Sequence, residues 1–463
     1  MFMFSRKIWI TAGCLGLVFF GGLGVYLFST EASSPLRTQS SSKKDGTRAL
    51  ENSFITSQTD KVVDEPSALF NDPAISQAWG LKKSDAARAW SVTQGSQDIV
   101  IAVIDTGIDA FHEDLAENLW KNPGETGKDA LGRNKASNGI DDDGNGFVDD
   151  THGWNFVSNN NKLDDNHGHG THIAGIIGAR AGNSKGITGI APQVSLMILK
   201  YYDPKVAGTD NLKNTVASIR YAVKMGANVI NYSGGGTEFS QEEHDAIAEA
   251  SKKGILFVAA AGNERSNSDQ HHYYPADYKL RNIISVTAID PATQVLASSN
   301  YGVETVDIAA PGQNILSCLP NNSYGYMTGT SQATAFVTGA AALVMAHKHS
   351  FNAEDVKKYI LATGDAQSQL ASKTRTSRQL NLYKALTILD QGVSATGVIA
   401  VNTQSMRNFT SDPNDKNSRA TAAEDGVDPT AKEMSHFGRS LIDAMGAKPR
   451  PSKLGTKQDN ESF

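Results

Sequence analysis

Five short, largely apolar runs spaced through the middle of the chain constrain its fold more than any other feature. They cover 99–104 (Ile-Val-Ile-Ala-Val-Ile), 194–199, 227–231, 255–260 and 283–288. A strand with one face in water alternates apolar and polar residues, whereas a run without that alternation is expected to be covered on both faces. Helical patterns separate the runs, the clearest at 241–253 with Gly254 placed to cap its C-terminus. Strands that alternate with helices build a parallel sheet. Residues 75–390 are therefore expected to form one α/β domain with a mostly parallel central sheet covered by helices on both faces.

The flanks read differently. Arg6 and Lys7 precede an apolar stretch, 8–28, without a charged residue. Its length suits a membrane anchor better than the core of an export signal, but Thr30-Glu31-Ala32 leaves a poor cleavage site as the alternative. In both cases the positive flank stays inside and the remainder is exported, held on the membrane if the segment is retained. The expected organisation is a signal or anchor over 1–32, a serine-rich tether over 33–74, the domain over 75–390, and a disordered tail over 391–463, which is poor in large aliphatic residues. The chain carries 43 Lys+Arg against 49 Asp+Glu, a net charge of −6. Nucleic acid is not an expected partner, because phosphate binding needs a basic face. Two cysteines, Cys14 and Cys318, cannot staple a disulfide scaffold.

Ligands of open α/β sheets sit beyond the carboxyl ends of the strands, so residues there carry the chemistry. The first run ends in Asp105, either a helix cap or a site residue. A second segment, Asn166-His167-Gly168-His169-Gly170-Thr171-His172, opens a helix. It reads either as a general base at a helix start or as a His-x-His-x-x-His metal site. Against the metal, Thr171 stands where such sites place a carboxylate. Ser331 precedes the helical segment 336–346, which is apolar on all sides and expected at the centre of the domain. It is either an ordinary N-cap or a nucleophile at a helix N-terminus. Asn263 follows the 255–260 run as a turn residue or a hydrogen-bond donor.

These four residues occur in the order Asp, His, Asn, Ser, with 64, 94 and 68 positions between successive members. In that order, and in the motifs Val103-Ile104-Asp105-Thr106-Gly107-Ile108-Asp109, His169-Gly170-Thr171-His172-Ile173-Ala174-Gly175 and Gly329-Thr330-Ser331, the chain resembles the subtilisin-like serine proteases, or subtilases. Asn231-Tyr232-Ser233-Gly234-Gly235 and Ala309-Ala310-Pro311-Gly312 add to the likeness, which covers about 75–390. The resemblance implies a subtilisin-like domain and a serine endopeptidase, expected to act as a monomer on polypeptide substrates. Ser331 would be the nucleophile, His169 the general base and Asp105 its orienting carboxylate, with Asn263 and the Ser331 N–H forming the oxyanion hole. His167 and His172 would be structural. Ser233, Gly234 and Gly235 would pair with substrate backbone, opposite Ala260, Ala261 and Gly262. These small residues imply a roomy pocket for apolar or aromatic side chains, floored by His271-His272-Tyr273-Tyr274-Pro275 and narrowed by Tyr273. Two departures are Ala335 where the family usually has proline and Gln332 where methionine is common.

Between the Asp and His motifs lies Asp141-Asp142-Asp143-Gly144-Asn145-Gly146-Phe147-Val148-Asp149-Asp150. Its start resembles a calcium loop, with Asp141, Asp143, Asn145 and Asp149 as expected ligands, but His152 replaces the final bidentate glutamate of an EF-hand. A solvated acidic turn is the alternative. Structural calcium is the only cofactor expected, and none is required for the chemistry.

Overall fold

A computed structural model describes residues 69–388. The expected anchor or signal, most of the tether and the tail lie outside the described residues. Helices α1 (Trp79–Lys83) and α2 (Ala86–Trp90) lead into β1 (Gly95–Asp105), β2 (Gly153–Asn155), α3 (His169–Gly178), β3 (Gln193–Lys200) and α4 (Asn211–Lys224). Next come β4 (Val229–Tyr232), α5 (Gln241–Lys252), β5 (Leu256–Ala260) and β6 (Ile283–Ile289). The chain then runs through β7 (Ile308–Pro311), β8 (Ile315–Leu319), β9 (Ser323–Met327), α6 (Thr330–His347) and α7 (Ala353–Thr363). It closes with β10 (Asp365–Ala366), β11 (Arg378–Gln379) and α8 (Leu382–Thr387).

The five apolar runs are β1, β3, β4, β5 and β6. The main sheet has the order β10-β11-β7-β6-β5-β4-β1-β3-β2 and is parallel except at the β10–β11 edge. Both faces are covered, as the lack of alternation requires. Ile101 and Val103 of β1 join one core cluster with α3 and α6, while Ala102 and Ile104 join another with α4 and α5. Burying each such valine or isoleucine contributes about 1.5–3 kcal/mol. Helix α6 crosses under β1, β4, β5, β6 and β7, and every residue from Thr330 to Met345 is buried. Helix α5 is capped by the Ser240 hydroxyl, and the chain leaves it through Gly254 at φ +74°.

Strand order creates the crevice. From β1 the chain first fills one side, with β3 and β2, and then crosses to start β4 on the other side. The segments leaving β1 and β4 diverge there, a topological switch point of the kind that holds ligands in open α/β sheets. Register places Tyr232 beside both Ile104 and Ala259, so the ends of β1, β4 and β5 lie side by side.

Residues 69–74, assigned above to the tether, pack on the domain. Asp72 is buried and accepts hydrogen bonds from the N–H groups of Gly182 and Asn183 and from the Thr188 hydroxyl. Among the described residues no helix is long and apolar enough to cross a membrane. Cys318 is buried as a free thiol.

Candidate active site

Asp105 is the last residue of β1. Its Oδ1 accepts from the Thr106 N–H at 2.8 Å and stands 2.7 Å from His169 Nδ1, with Oδ2 at 3.0 Å from the same nitrogen. An ionised carboxylate only accepts, so the proton resides on Nδ1 and Nε2 carries the lone pair. That Nε2 is buried and has no hydrogen-bond partner.

The loop after β1 and the first turn of α3 are tied by Asp165. Its carboxylate accepts from the N–H groups of His167, Gly168 and Thr171 at 2.7–3.0 Å and from the hydroxyls of Thr171 and Thr106. Thr106 Oγ1 in turn accepts from Gly170 N–H at 2.9 Å. Burial alone would raise the Asp165 pKa, but these hydrogen bonds outweigh it and hold the carboxyl below its usual range. Close approach also requires Gly170, since a Cβ there would meet the Gly107 carbonyl oxygen at 2.2 Å.

Ser331 is the second residue of α6 and is buried, with its Oγ donating to the Ser233 carbonyl at 3.2 Å. The hydroxyl is thus engaged with β4's exit segment rather than with His169 Nε2, although α3 and α6 pack together. Asn263, three residues past β5, accepts at Oδ1 from the Thr330 N–H (3.1 Å) and hydroxyl (3.2 Å). Of the two amide atoms only the oxygen can accept, which settles the sense of the amide and leaves Nδ2 as the group able to donate elsewhere. Ser233, Gly234 and Gly235 leave β4 next to Ala260, Ala261 and Gly262 at the end of β5, because those strands pair in register.

The family model described as "Subtilase family" matches residues 96–383, well over half of the chain. The chain belongs to the subtilase family. It is a serine protease, a hydrolase of peptide bonds. Thermitase of Thermoactinomyces vulgaris is 34% identical over 318 residues, covering 68% of this chain and 98% of thermitase. The thermophilic serine proteinase of Bacillus sp. (strain AK1) is 35% identical over 299 residues, covering 65% of this subtilase but only 64% of that proteinase. A protease structure from Pseudoalteromonas arctica PAMC 21717 aligns with TM-score 0.55 at 23% identity, covering 69% of this chain and 99% of the other, a likeness of fold.

In this subtilase His167, His169 and His172 do not form a metal-ligand group among the described residues. His172 is fully buried, and its Nε2 lies 3.0 Å from the Ile315 carbonyl and 3.2 Å from that of Gly325. Burial, with the His169 charge nearby, pushes its pKa down to about 3. His167 is lowered by the same two causes.

The acidic insert is closed by hydrogen bonds onto its own carboxylates. Asp141 accepts from the N–H groups of Asn145 and Gly146, and Asp149 accepts from Gly139 N–H. Asn145 turns its Nδ2 toward Asp143 and Asp150 and uses its Oδ1 on the Phe147 N–H. Of the four expected ligands only Asp143 joins the carboxylate cluster, whose other members are Glu125 and Asp150, with one oxygen from each within 4.8 Å of the others. Burial raises the pKa values of Glu125 and Asp150, and the Asp143 charge adds to both. Sequence reasoning missed Glu125, which sits in a Pro-Gly-Glu turn with no local motif. It also passed over Asp165, whose position four residues before His169 at a helix start was a readable capping signal.

Proposed function

We propose that this subtilase is an endopeptidase in which Asp105, His169 and Ser331 act as a triad and Asn263 assists as an oxyanion donor. The observation that carries the reading is the 2.7 Å contact between Asp105 and His169 Nδ1, which leaves a buried, unpartnered Nε2 ready to take a proton. Ser331 turns its hydroxyl from the Ser233 carbonyl to His169 Nε2, gives up its proton and attacks the scissile carbonyl. The imidazolium formed is stabilised by Asp105 and then protonates the leaving amine. Charge on the carbonyl oxygen is met by Asn263 Nδ2 and the Ser331 N–H at the α6 N-terminus, where the helix dipole favours an anion. Ser233, Gly234 and Gly235 hold substrate backbone opposite Ala260, Ala261 and Gly262. Labelling with a fluorophosphonate probe tests this. Ser331→Ala should abolish labelling and His169→Ala should slow it by orders of magnitude, whereas labelling that survives Ser331→Ala would sink the assignment. The metal-hydrolase alternative finds no support among the described residues, where the side chains placed to share an ion are Glu125, Asp143 and Asp150 and no histidine joins them.

We further propose that calcium is held at Glu125, Asp143 and Asp150. Glu125 Oε1 accepts from the Asp142 N–H, but its buried Oε2 has no partner, and three crowded carboxylates are a hard, anionic donor set that suits calcium. The ion would tie the insert to the loop before it and support the segment between Asp105 and His169, without taking part in the chemistry. The uncharged stretch 8–28 supports action outside the cytoplasm, with the protein on a membrane if that stretch is retained.

A further inference from the structure

We propose that the ring of Tyr273 fills the pocket for the side chain preceding the scissile bond, so that the enzyme cleaves after small residues and rejects aromatic and long aliphatic ones. The proposal rests on the reading of the site given above, and it replaces the expectation of a roomy pocket with a specificity set by this chain's own side chain.

The two walls of that pocket are the segments leaving β4 and β5, and Tyr273 touches both. A Cβ on Gly235 would lie 2.5 Å from Tyr273 Cε1 and 2.9 Å from its Cζ, and a Cβ on Gly262 would lie 3.0 Å from its Cδ1. The ring therefore lies directly against the Gly235 wall and reaches the Gly262 wall, where Glu264 Oε2 and Asn300 Nδ2 stand closer still. The space that the missing glycine side chains leave open is occupied, and the tyrosine is only 2% exposed. A flat substrate side chain entering between the same two segments would need the volume that the ring already holds, and protein interiors pack too densely to share it.

The surroundings hold the ring in place. Tyr273 N–H donates to Asp277 Oδ2 at 2.8 Å, and the Asp277 N–H donates back to the Tyr273 carbonyl at 3.0 Å. Tyr274 exchanges two hydrogen bonds with Gly236, at 2.7 and 2.8 Å, which fixes the loop to the β4 wall itself. The opposite wall is pinned by Asn300, whose N–H donates to the Gly262 carbonyl and whose Nδ2 donates to that of Ala261. Widening the pocket thus means breaking paired backbone groups on one side or the other, which a substrate's side chain does not repay.

The test is a series of peptide p-nitroanilides that differ only in the residue before the anilide (Gly, Ala, Leu or Phe), run on the unsubstituted protein, Tyr273→Gly and Tyr273→Phe. The unsubstituted protein should show higher kcat/KM for Ala than for Leu or Phe. Tyr273→Gly should shift the Phe-to-Ala ratio of kcat/KM upward by about 10–100-fold, and Tyr273→Phe, which keeps the ring, should keep the original preference. If Tyr273→Gly does not fold, Tyr273→Val provides the smaller opening and should shift Leu over Ala in the same direction. A preference for Phe in the unsubstituted protein, or an unchanged ratio in a Tyr273→Gly protein that labels normally with fluorophosphonate, would overturn the proposal while leaving the triad intact. Loss of labelling in the unsubstituted protein would instead overturn the triad reading on which it rests.

Discussion

Glu243 offers a direct test of how this core treats charge. It lies in the first turn of α5, where a helix N-terminus would ordinarily welcome a carboxylate. Yet its side chain is buried, and its hydrogen-bond partner at Oε2 is the Tyr278 hydroxyl at 3.0 Å. Burial pushes its pKa up to about 7, against the lowering effect of that hydrogen bond. Below about pH 4.5 the group is neutral whether the chain is folded or not. Between about pH 4.5 and 7 the unfolded chain loses the proton while the folded one keeps it, so stability falls as pH rises, and above 7 the full cost is present. A rise of this size corresponds to about 3 kcal/mol. Glu243→Gln removes the charge and keeps an acceptor for Tyr278. In the inactive Ser331→Ala background at fixed calcium, the two thermal midpoints should nearly coincide at pH 4.5. By pH 8 the Gln variant should melt about 6 °C higher, at about 2 °C per kcal/mol for a domain of this size. Comparing the pair cancels other titrating groups such as Asp277, which burial raises to about 6. A pH-independent gap, or a Gln variant that melts lower at pH 8, would refute the reasoning.

Asn263→Ala should lower kcat by about 10²–10³-fold with little change in KM, measured on the best substrate of the anilide series; a loss confined to KM would remove Asn263 from the oxyanion hole. In Ser331→Ala protein, calcium at about 100-fold its Kd should add about 2.7 kcal/mol of stability, seen as a higher thermal midpoint. Glu125→Gln and Asp143→Asn should each melt higher than their parent without calcium, because repulsion is relieved, and gain less when it is added. Equal gains in parent and variants would place the ion elsewhere.

What the amino-acid order revealed follows from how local each signal is. The runs that became β1, β3, β4, β5 and β6 were legible because strands covered on both faces cannot alternate. β9 is mostly part-exposed, and β10 and β11 have two residues each, so neither length nor pattern marks them. Asp105, His169, Asn263 and Ser331, the residues proposed for the chemistry, stand out as candidates because each lies in a dense local motif at a strand or helix end. Glu125 was not, since its meaning comes from burial beside Asp143 and Asp150, groups brought together by the folded loop. Asp141 and Asp149 are expected as ligands from spacing alone, and the folded loop adds that each also accepts N–H groups from the turns its glycines allow. Tyr273 was visible as a pocket residue, while the degree to which it closes the pocket depends on its contact with Gly235 and Gly262.

The groups that end the secondary structure are also the ones that orient the chemistry. Asp165 accepts the Thr171 N–H in the first turn of α3 and the two N–H groups just before it and, through Thr106, fixes the segment that follows Asp105, so the Asp105–His169 geometry depends on how this helix start is tied down. Asn263 does the same for α6: its Oδ1 takes the Thr330 N–H at the helix start, and that bond leaves its Nδ2 free to meet an oxyanion. One amide thus serves the fold with one atom and, on the proposed reading, catalysis with the other. Loss of the cap costs about 1 kcal/mol, while loss of the donor costs about 2.7–4 kcal/mol of transition-state stabilisation. Asn263→Asp separates the two, because a carboxylate still accepts the Thr330 N–H but has no hydrogen to donate and repels an oxyanion. Such a protein should lose turnover by the full cost of the donor while its thermal midpoint falls only by what the buried carboxylate costs, the split expected when stability and catalysis share a residue without sharing an atom.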